Sequence, residues 1–390
     1  MVSRIGGMPN QQPASVSATP SQAIAALIRQ AIERQGGWLP FDRFMALALY
    51  APGLGYYARG NRQFGVLPSS GSDFVTAPEL SPLFGRALAR QLAQALEGSA
   101  THEIWEFGAG SGALALQLLE ALGPRVRRYT IVDLSGRLRE RQREVLAAHL
   151  GRVRWIDELP DEMQGVVIGN EVLDAMPVQL LHFDGVRWLE RGVVAGDASA
   201  PGQGAAPWVW ADRPTELRPP VDDGELFVPG TVTEVHPQAE AFIATLAERL
   251  QRGAAFFIDY GFPLAEYYHP QRTGGTLMCH RAHLADTDPL ADVGAKDITA
   301  HVNFTGIALA AQDAGLEVLG YTSQARFLMN CGLLDLLEGA DLRTTAHAQK
   351  LLTEHEMGEL FKVIGLARGC DPAFTTAPLG FAHGDRTHTL

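Results

Sequence analysis

The chain has 390 residues, 46% of them hydrophobic, and a formal net charge of −12. That is enough apolar material for a large core in a chain long for one simple domain. The acidity excludes broad phosphate-driven nucleic-acid binding and leaves a basic protein partner open. Cys279, Cys331 and Cys370 are widely separated and give neither a disulfide framework nor metal-ligand spacing, so no metal is expected.

Residues 1–20 read as a polar, disordered tail, without the apolar run of a signal peptide and with a single arginine where a transit peptide would have several. No later segment approaches the roughly 18 apolar residues of a membrane span. A cytoplasmic bacterial protein is the expectation, with the mitochondrial matrix its place only if the source is eukaryotic. Residues 21–98 are expected to form a helical region. "SQAIAALIRQAIERQGGWLP" begins with a serine cap, "FDRFMALALYAPGLGYY" ends in a Pro-Gly turn, and "SPLFGRALARQLAQAL" carries Pro82 at its first helical position.

From residue 99 the pattern changes to apolar strands alternating with helices. "HEIWEFG", "RRYTIVDL", "RVRWIDEL", "QGVVIGN" and "GAAFFIDYGFP" read as strands, "ALALQLLEAL" and "RLRERQREVLAAHL" as helices. Such alternation predicts a Rossmann-like α/β fold, a doubly wound parallel sheet covered on both faces. Two insertions are expected in it: a β-rich one over about residues 178–230, with a hairpin around Asp184-Gly185 and a Gly/Ala/Pro-rich loop, and a lid over about residues 267–347.

"IWEFGAGSGALA", residues 104–115, runs from a strand through a glycine turn into a helix expected to open at Ser111. Gly108, Gly110 and Gly112 let backbone approach a ligand, but free N–H groups at a helix start serve a pyrophosphate or an amino-acid carboxylate equally. Glu106 breaks the tie. A carboxylate there repels a pyrophosphate and suits the α-ammonium of S-adenosylmethionine. Asp133 ends the next strand, where it would accept ribose hydroxyls in either family, and Asp157 ends a third, within reach of an adenine amino group. The opposing reading makes all three helix-terminal or solvated acids. In "VVIGNEVLDAMPV", Asn170 is followed by Glu171 rather than the Pro-Pro-aromatic of adenine-methylating enzymes. Glu171 and Asp174 would share a face if a helical turn starts there. Two such carboxylates can fork a guanidinium; equally, Asp174 could cap a turn and Glu171 be solvated.

The blocks "SDFVTAPELSPLFG", "WEFGAGSGALA", "GNEVLDAMPV", "FIDYGFP", "LMCHRAH", "DITAHVNFT" and "MGELFKVI" together resemble the MidA-like (DUF185) family of S-adenosylmethionine-dependent methyltransferases. Mitochondrial relatives in that family are protein arginine methyltransferases that assist respiratory complex I assembly. The resemblance implies a cofactor site from Glu106, Gly108, Gly110, Gly112 and Asp133, with Ala109 and Leu134 adjoining and Asp157 added by its place at a strand end, and with the block over residues 73–79, including Thr76, Pro78 and Glu79, close to the cofactor. Asn170, Glu171 and Asp174 would face the reacting centre, Asn170 touching cofactor as well. It implies a protein substrate, such as a complex I subunit, and a possible homodimer. His236 departs from the serine or asparagine that many members carry before this proline, and the stretch around Gly202 is longer than usual.

Other residues invite weaker readings. Tyr260 and Gly261 would wall a substrate channel or make a plain turn. His280 and His283 lack partners at metal spacing. His301 and Asn303 suit a turn or helix cap better than substrate contact, and "RLRERQRE" is a solvated helix face. Two rivals remain from other classes: a non-catalytic assembly factor that holds the cofactor as a structural ligand, and an NAD-dependent oxidoreductase, which Glu106 disfavours.

Overall fold

A computed structural model describes residues 19–58, 76–133, 135–196, 207–221, 227–281 and 284–390. The tail up to residue 18, the loop at 197–206, Leu134 and His283 lie outside the described residues. The central sheet has strands β1 (Glu103–Phe107), β2 (Arg128–Val132), β3 (Val153–Ile156), β4 (Met163–Asn170), β5 (Leu250–Phe262), β6 (Glu317–Ser323) and β7 (Phe361–Arg368). Their spatial order is β6-β7-β5-β4-β1-β2-β3. Strands β1 to β5 run parallel. β7 is antiparallel to both β5 and β6, so the sheet is mixed rather than wholly parallel. Order reverses between β1 and β4, and a doubly wound sheet opens its binding crevice beyond the strand ends at such a point.

Both faces of β1 are buried because apolar side chains occupy alternate positions on each. Ile104 enters one core with helices α3 (Pro82–Gly98) and α4 (Ala113–Leu122), whereas Trp105 and Phe107 enter the other with α5 (Pro237–Arg249) and α6 (Phe304–Asp313). Helices α1 (Pro20–Arg34) and α2 (Phe41–Tyr50) pack elsewhere, against a second sheet built on Gln179–Phe183, Trp188–Ala195, Trp208–Pro214 and Val232–Val235. The expected hairpin is present, with Phe183 opposite Trp188 across Asp184-Gly185.

Three expectations need correction. The cap of α1 is Thr19, not Ser21: its hydroxyl accepts from Gln22 N while the Gln22 side chain returns to Thr19 N, and Pro20 takes the first helical position. The helical region at 21–98 is divided, since α3 belongs to the central core. Residues 267–347 are not a single lid. Met278–Arg281, Leu284–Asp286 and Asp297–Thr299 form a small three-stranded sheet, after which α6 and β6 return to the central sheet. Short apolar runs such as "LEVLGYTS" carry no period long enough to separate a core strand from a loop.

Candidate active site

β1 ends at Phe107, and the next three glycines at alternate positions take left-handed backbone: Gly108 at φ 62°, Gly110 at 53° and Gly112 at 87°. A methyl on Gly108 would stand 3.0 Å from the Val172 side chain, so this loop touches the turn after β4. Helix α4 opens at Ala113 with Gly112 as its cap, two residues later than expected from Ser111. The Ser111 hydroxyl instead donates to Glu79, tying the residue 76–79 block to the loop.

Above these strand ends lies a cavity of about 820 Å³. Thr76, Pro78, Glu79, Glu106, Gly108, Ala109, Gly110, Asp133, Asp157, Asn170, Glu171 and Asp174 all line it. Of the other expected residues, Gly112 is not in the lining, and Leu134 lies outside the described residues. The lining carries the carboxylates of Glu79, Glu106, Asp133, Asp157, Glu171, Asp174 and Asp297 and, among the described residues, no lysine or arginine.

Glu106 is 2% exposed and accepts from the Tyr129 hydroxyl at 2.7 Å. Burial drives its carboxyl up to about 8, against the pull of that hydrogen bond, so it is not a solvated acid. Asp133 accepts from Ser135 N at 2.8 Å and from the Gln142 amide at 2.9 Å. Its pKa is also raised by burial, which outweighs both bonds.

The turn after β4 is not helical. Glu171 takes a left-handed φ of 55°, unusual for a side chain with a Cβ. Two devices hold it there. Glu171 N donates to Ile258 O at 2.9 Å, and the buried Asp259 of β5 accepts from the backbone of Val172, Leu173 and Asp174 at 3.0, 2.8 and 3.3 Å. A carboxylate thus does for this turn what a helix cap does for a helix. Glu171 and Asp174 therefore both reach the cavity through a clamped turn, not through helical spacing. Burial first, then the Asp259 charge, pushes Glu171 up to about 8; the same causes, with Glu171 added, raise Asp174 well above the carboxylate range.

A family model of S-adenosyl-L-methionine-dependent methyltransferases matches residues 87–322. The chain belongs to this family. Among solved structures, a Burkholderia thailandensis protein bound to S-adenosylhomocysteine is 51% identical, with a TM-score of 0.88 over 98% of this chain and 100% of that one. Among curated proteins, the mitochondrial protein arginine methyltransferase NDUFAF7 of Danio rerio is 26% identical over 379 residues, 85% of each chain. That of Homo sapiens is 26% identical, covering 85% of this chain and 80% of its own. The methyl donor of this methyltransferase is S-adenosyl-L-methionine.

Several lining residues of the methyltransferase escaped the sequence reading: Tyr50, Tyr57, Phe242, Asp297 and Thr299. Asp259 escaped as well, although it stands inside "FIDYGFP". Tyr260 and His280 do line the cavity, whereas Gly261 sits against Val302 and His301 stacks on Phe262. Asn303 caps α6, as a cap role predicts. Among the described residues no group of His, Cys, Asp or Glu could hold a metal, and no helix is long and apolar enough to cross a membrane.

The raised pKa values carry a stability cost with a definite sign. An ordinary glutamate ionises at 4.5, but Glu171 in the fold does so at about 8. Between those values the folded chain binds more protons than the unfolded one, so this group's contribution falls as pH rises from 4.5 to about 8. Glu171→Gln should therefore raise Tm more at pH 8.5 than at pH 5.5. Equal shifts at both pH values in calorimetric scans would contradict this account.

Proposed function

We propose that this methyltransferase methylates an arginine guanidinium on a protein, with a respiratory complex I subunit as the first candidate substrate. The observation that carries this reading is the cavity wall, where carboxylates gather without a lysine or arginine among the described residues. Such a wall suits two cations in succession, a sulfonium donor with its ammonium and a guanidinium acceptor. It repels a pyrophosphate, which sets the NAD-dependent reading aside. Asn170 Oδ1, buried and without a hydrogen-bond partner, is a further acceptor in the same wall.

When bound, S-adenosylmethionine supplies an electrophilic methyl group on its sulfonium. Glu106 would hold the α-ammonium, Asp133 the ribose hydroxyls and Asp157 the adenine amino group, with Gly108, Ala109, Gly110 and the residue 76–79 block closing around them. Glu171 and Asp174 would orient the acceptor by accepting its N–H groups, so catalysis is chiefly positioning and electrostatics. A bound guanidinium favours their ionised form, and a buried carboxylate so ionised is a stronger acceptor for the proton that the substrate nitrogen loses on methylation.

Purified protein and radiolabelled cofactor, added to lysate from cells lacking the gene, should label a discrete protein band. Hydrolysis of that band should release methylated arginine. Label recovered on lysine, carboxylate or a small molecule would overturn the arginine reading, and cofactor binding without any transfer would favour the assembly-factor alternative.

Glu106 gives a separate prediction. Its carboxyl stands at about 8, so at pH 7 most of it is protonated, and a bound ammonium favours the ionised form. Binding of S-adenosylhomocysteine at pH 7 should release a proton, visible in calorimetry across buffers of different ionisation heat. Glu106→Gln should abolish that release and weaken binding about 10- to 100-fold, the scale of a lost charge-assisted hydrogen bond. Unchanged proton release in the variant would remove Glu106 from this role.

A further inference from the structure

Asp133, to which the ribose is assigned, sits one residue past the end of β2 and lines the cavity. The helix that follows, Gly136–Val145, carries the run "RLRERQRE", expected to be a solvated face. Two of its residues turn the other way. Arg139 donates through Nε to the Asp133 carbonyl at 2.9 Å and through Nη2 to the Ile156 carbonyl at 2.8 Å, joining the ends of β2 and β3. Gln142, about one turn on, is 0% exposed. Its Nε2 donates to Gly110 O at 3.0 Å and to Asp133 Oδ2 at 2.9 Å, while its Oε1 accepts from the Trp155 indole of β3 at 2.8 Å. Both amide hydrogens and the amide oxygen are thus engaged.

These partners admit one orientation of the amide. An indole N–H only donates, whereas a backbone carbonyl and an ionised carboxylate only accept, so the oxygen must face Trp155 and the nitrogen must face Gly110 and Asp133. The result is a bridge from the glycine loop, through Gln142, to the acid at the end of the next strand. On that acid, Oδ1 accepts from Ser135 N and Oδ2 from Gln142, one partner on each oxygen. An ionised carboxylate offers about four lone-pair sites, so each oxygen keeps a place for one further donor, as the two hydroxyls of a ribose require. Gln142 stands behind the cavity wall rather than in it. We infer that Gln142 is a positioning residue, which fixes the Asp133 carboxylate against the glycine loop so that both ribose hydroxyls of S-adenosylmethionine are bound at once. The inference rests on the ribose assignment of Asp133 above and adds the residue through which that carboxylate is oriented.

Calorimetric titration of the whole protein with S-adenosylhomocysteine and with its 2′-deoxyadenosyl counterpart tests it. The parent should bind the ribose form at least about tenfold more tightly, the scale of a lost hydrogen bond to a charged group. Gln142→Met keeps the length and packing of the side chain but donates nothing, and should reduce that preference to less than about threefold. Trp155→Phe leaves Gln142 in place but removes the N–H that holds its amide, and should also cut the preference at least about twofold. A residue that only supports the fold would weaken both ligands by one factor and leave their ratio alone. Full preference kept in Gln142→Met, or in Trp155→Phe should the first variant not fold, therefore overturns the inference even where affinity falls. Failure of the ribose assignment looks different: the preference is missing from the parent, or it survives Asp133→Asn.

Discussion

Asp174→Ala should lower methyl transfer by about 1,000-fold or more while S-adenosylhomocysteine affinity stays within about threefold of the parent protein, a barrier change of roughly 4 kcal/mol confined to the chemical step. Several observations separate the two readouts. Asp174 is 5% exposed at the end of the turn clamped by Asp259, and its links to Asp259 and Ala300 use backbone atoms that alanine retains. The residues assigned to the donor's ammonium and sugar, Glu106 and Asp133, belong to β1 and the end of β2. Because Asp174 is pushed well above the carboxylate range by burial and by Asp259 and Glu171, removing it relieves repulsion, and Tm should hold or rise. Single-turnover assays, calorimetry and a melting curve on one preparation decide the matter. Joint loss of cofactor binding and activity, or a lower Tm, would make Asp174 a structural residue instead.

The largest effect on stability is expected at Gly253→Ala. Gly253 of β5 has φ 149°, and a methyl group there would sit 1.8 Å from Gly165 O of β4. Gly165 is itself at φ 131°, where a methyl would lie 2.4 Å from Glu103 O of β1. Three adjacent central strands thus approach through positions that only glycine fills without strain. The obstacle is backbone carbonyl rather than the flexible end of a side chain, so relief requires separating β4 from β5. A loss above about 4 kcal/mol follows, in the range reserved for backbone clashes and core disruption. Gly274→Ala is the matched control, because no atom lies within 4 Å of a methyl there. Thermal unfolding should show a Tm fall of many degrees, or an insoluble protein, for the first and almost no change for the second. A small shift at Gly253 would mean that the sheet can slide to accommodate the methyl.

The side of the cavity to which the donor is assigned was legible as one cluster because local chemistry and a general topological rule coincide there. A strand, a glycine turn and a helix follow one another within residues 104–115, and acids at three successive strand ends must project into one crevice once the sheet forms. The opposite side of the cavity obeys no local rule. Glu171 and Asp174 are close in sequence, but the left-handed turn that presents them depends on Asp259, whose partners are 85 to 87 residues away. Tyr57 finds Asp297 across 240 residues. Spacing cannot reveal such pairings, since nothing in "LGYY" or "AKDIT" differs from an ordinary turn or edge strand. β6 and β7 were hidden for another reason: one lay inside a stretch read as a lid, and the other appeared only as part of a family block.

The division of the cavity between near and distant segments has a consequence for how the molecule comes into being. During synthesis the glycine turn, Asp133 and Asp157 leave the ribosome well before Asp297 does. The partners of that first end are short-range along the chain, and the sequence separation of native contacts largely governs how soon they close. The second end must wait for the loop between Tyr57 and Asp297 to be made and drawn in. A growing chain would therefore complete the glycine-turn side of the cavity, to which the donor is assigned, before the wall that Tyr57 and Asp297 join, and a chain stalled in between would hold only half of its cavity.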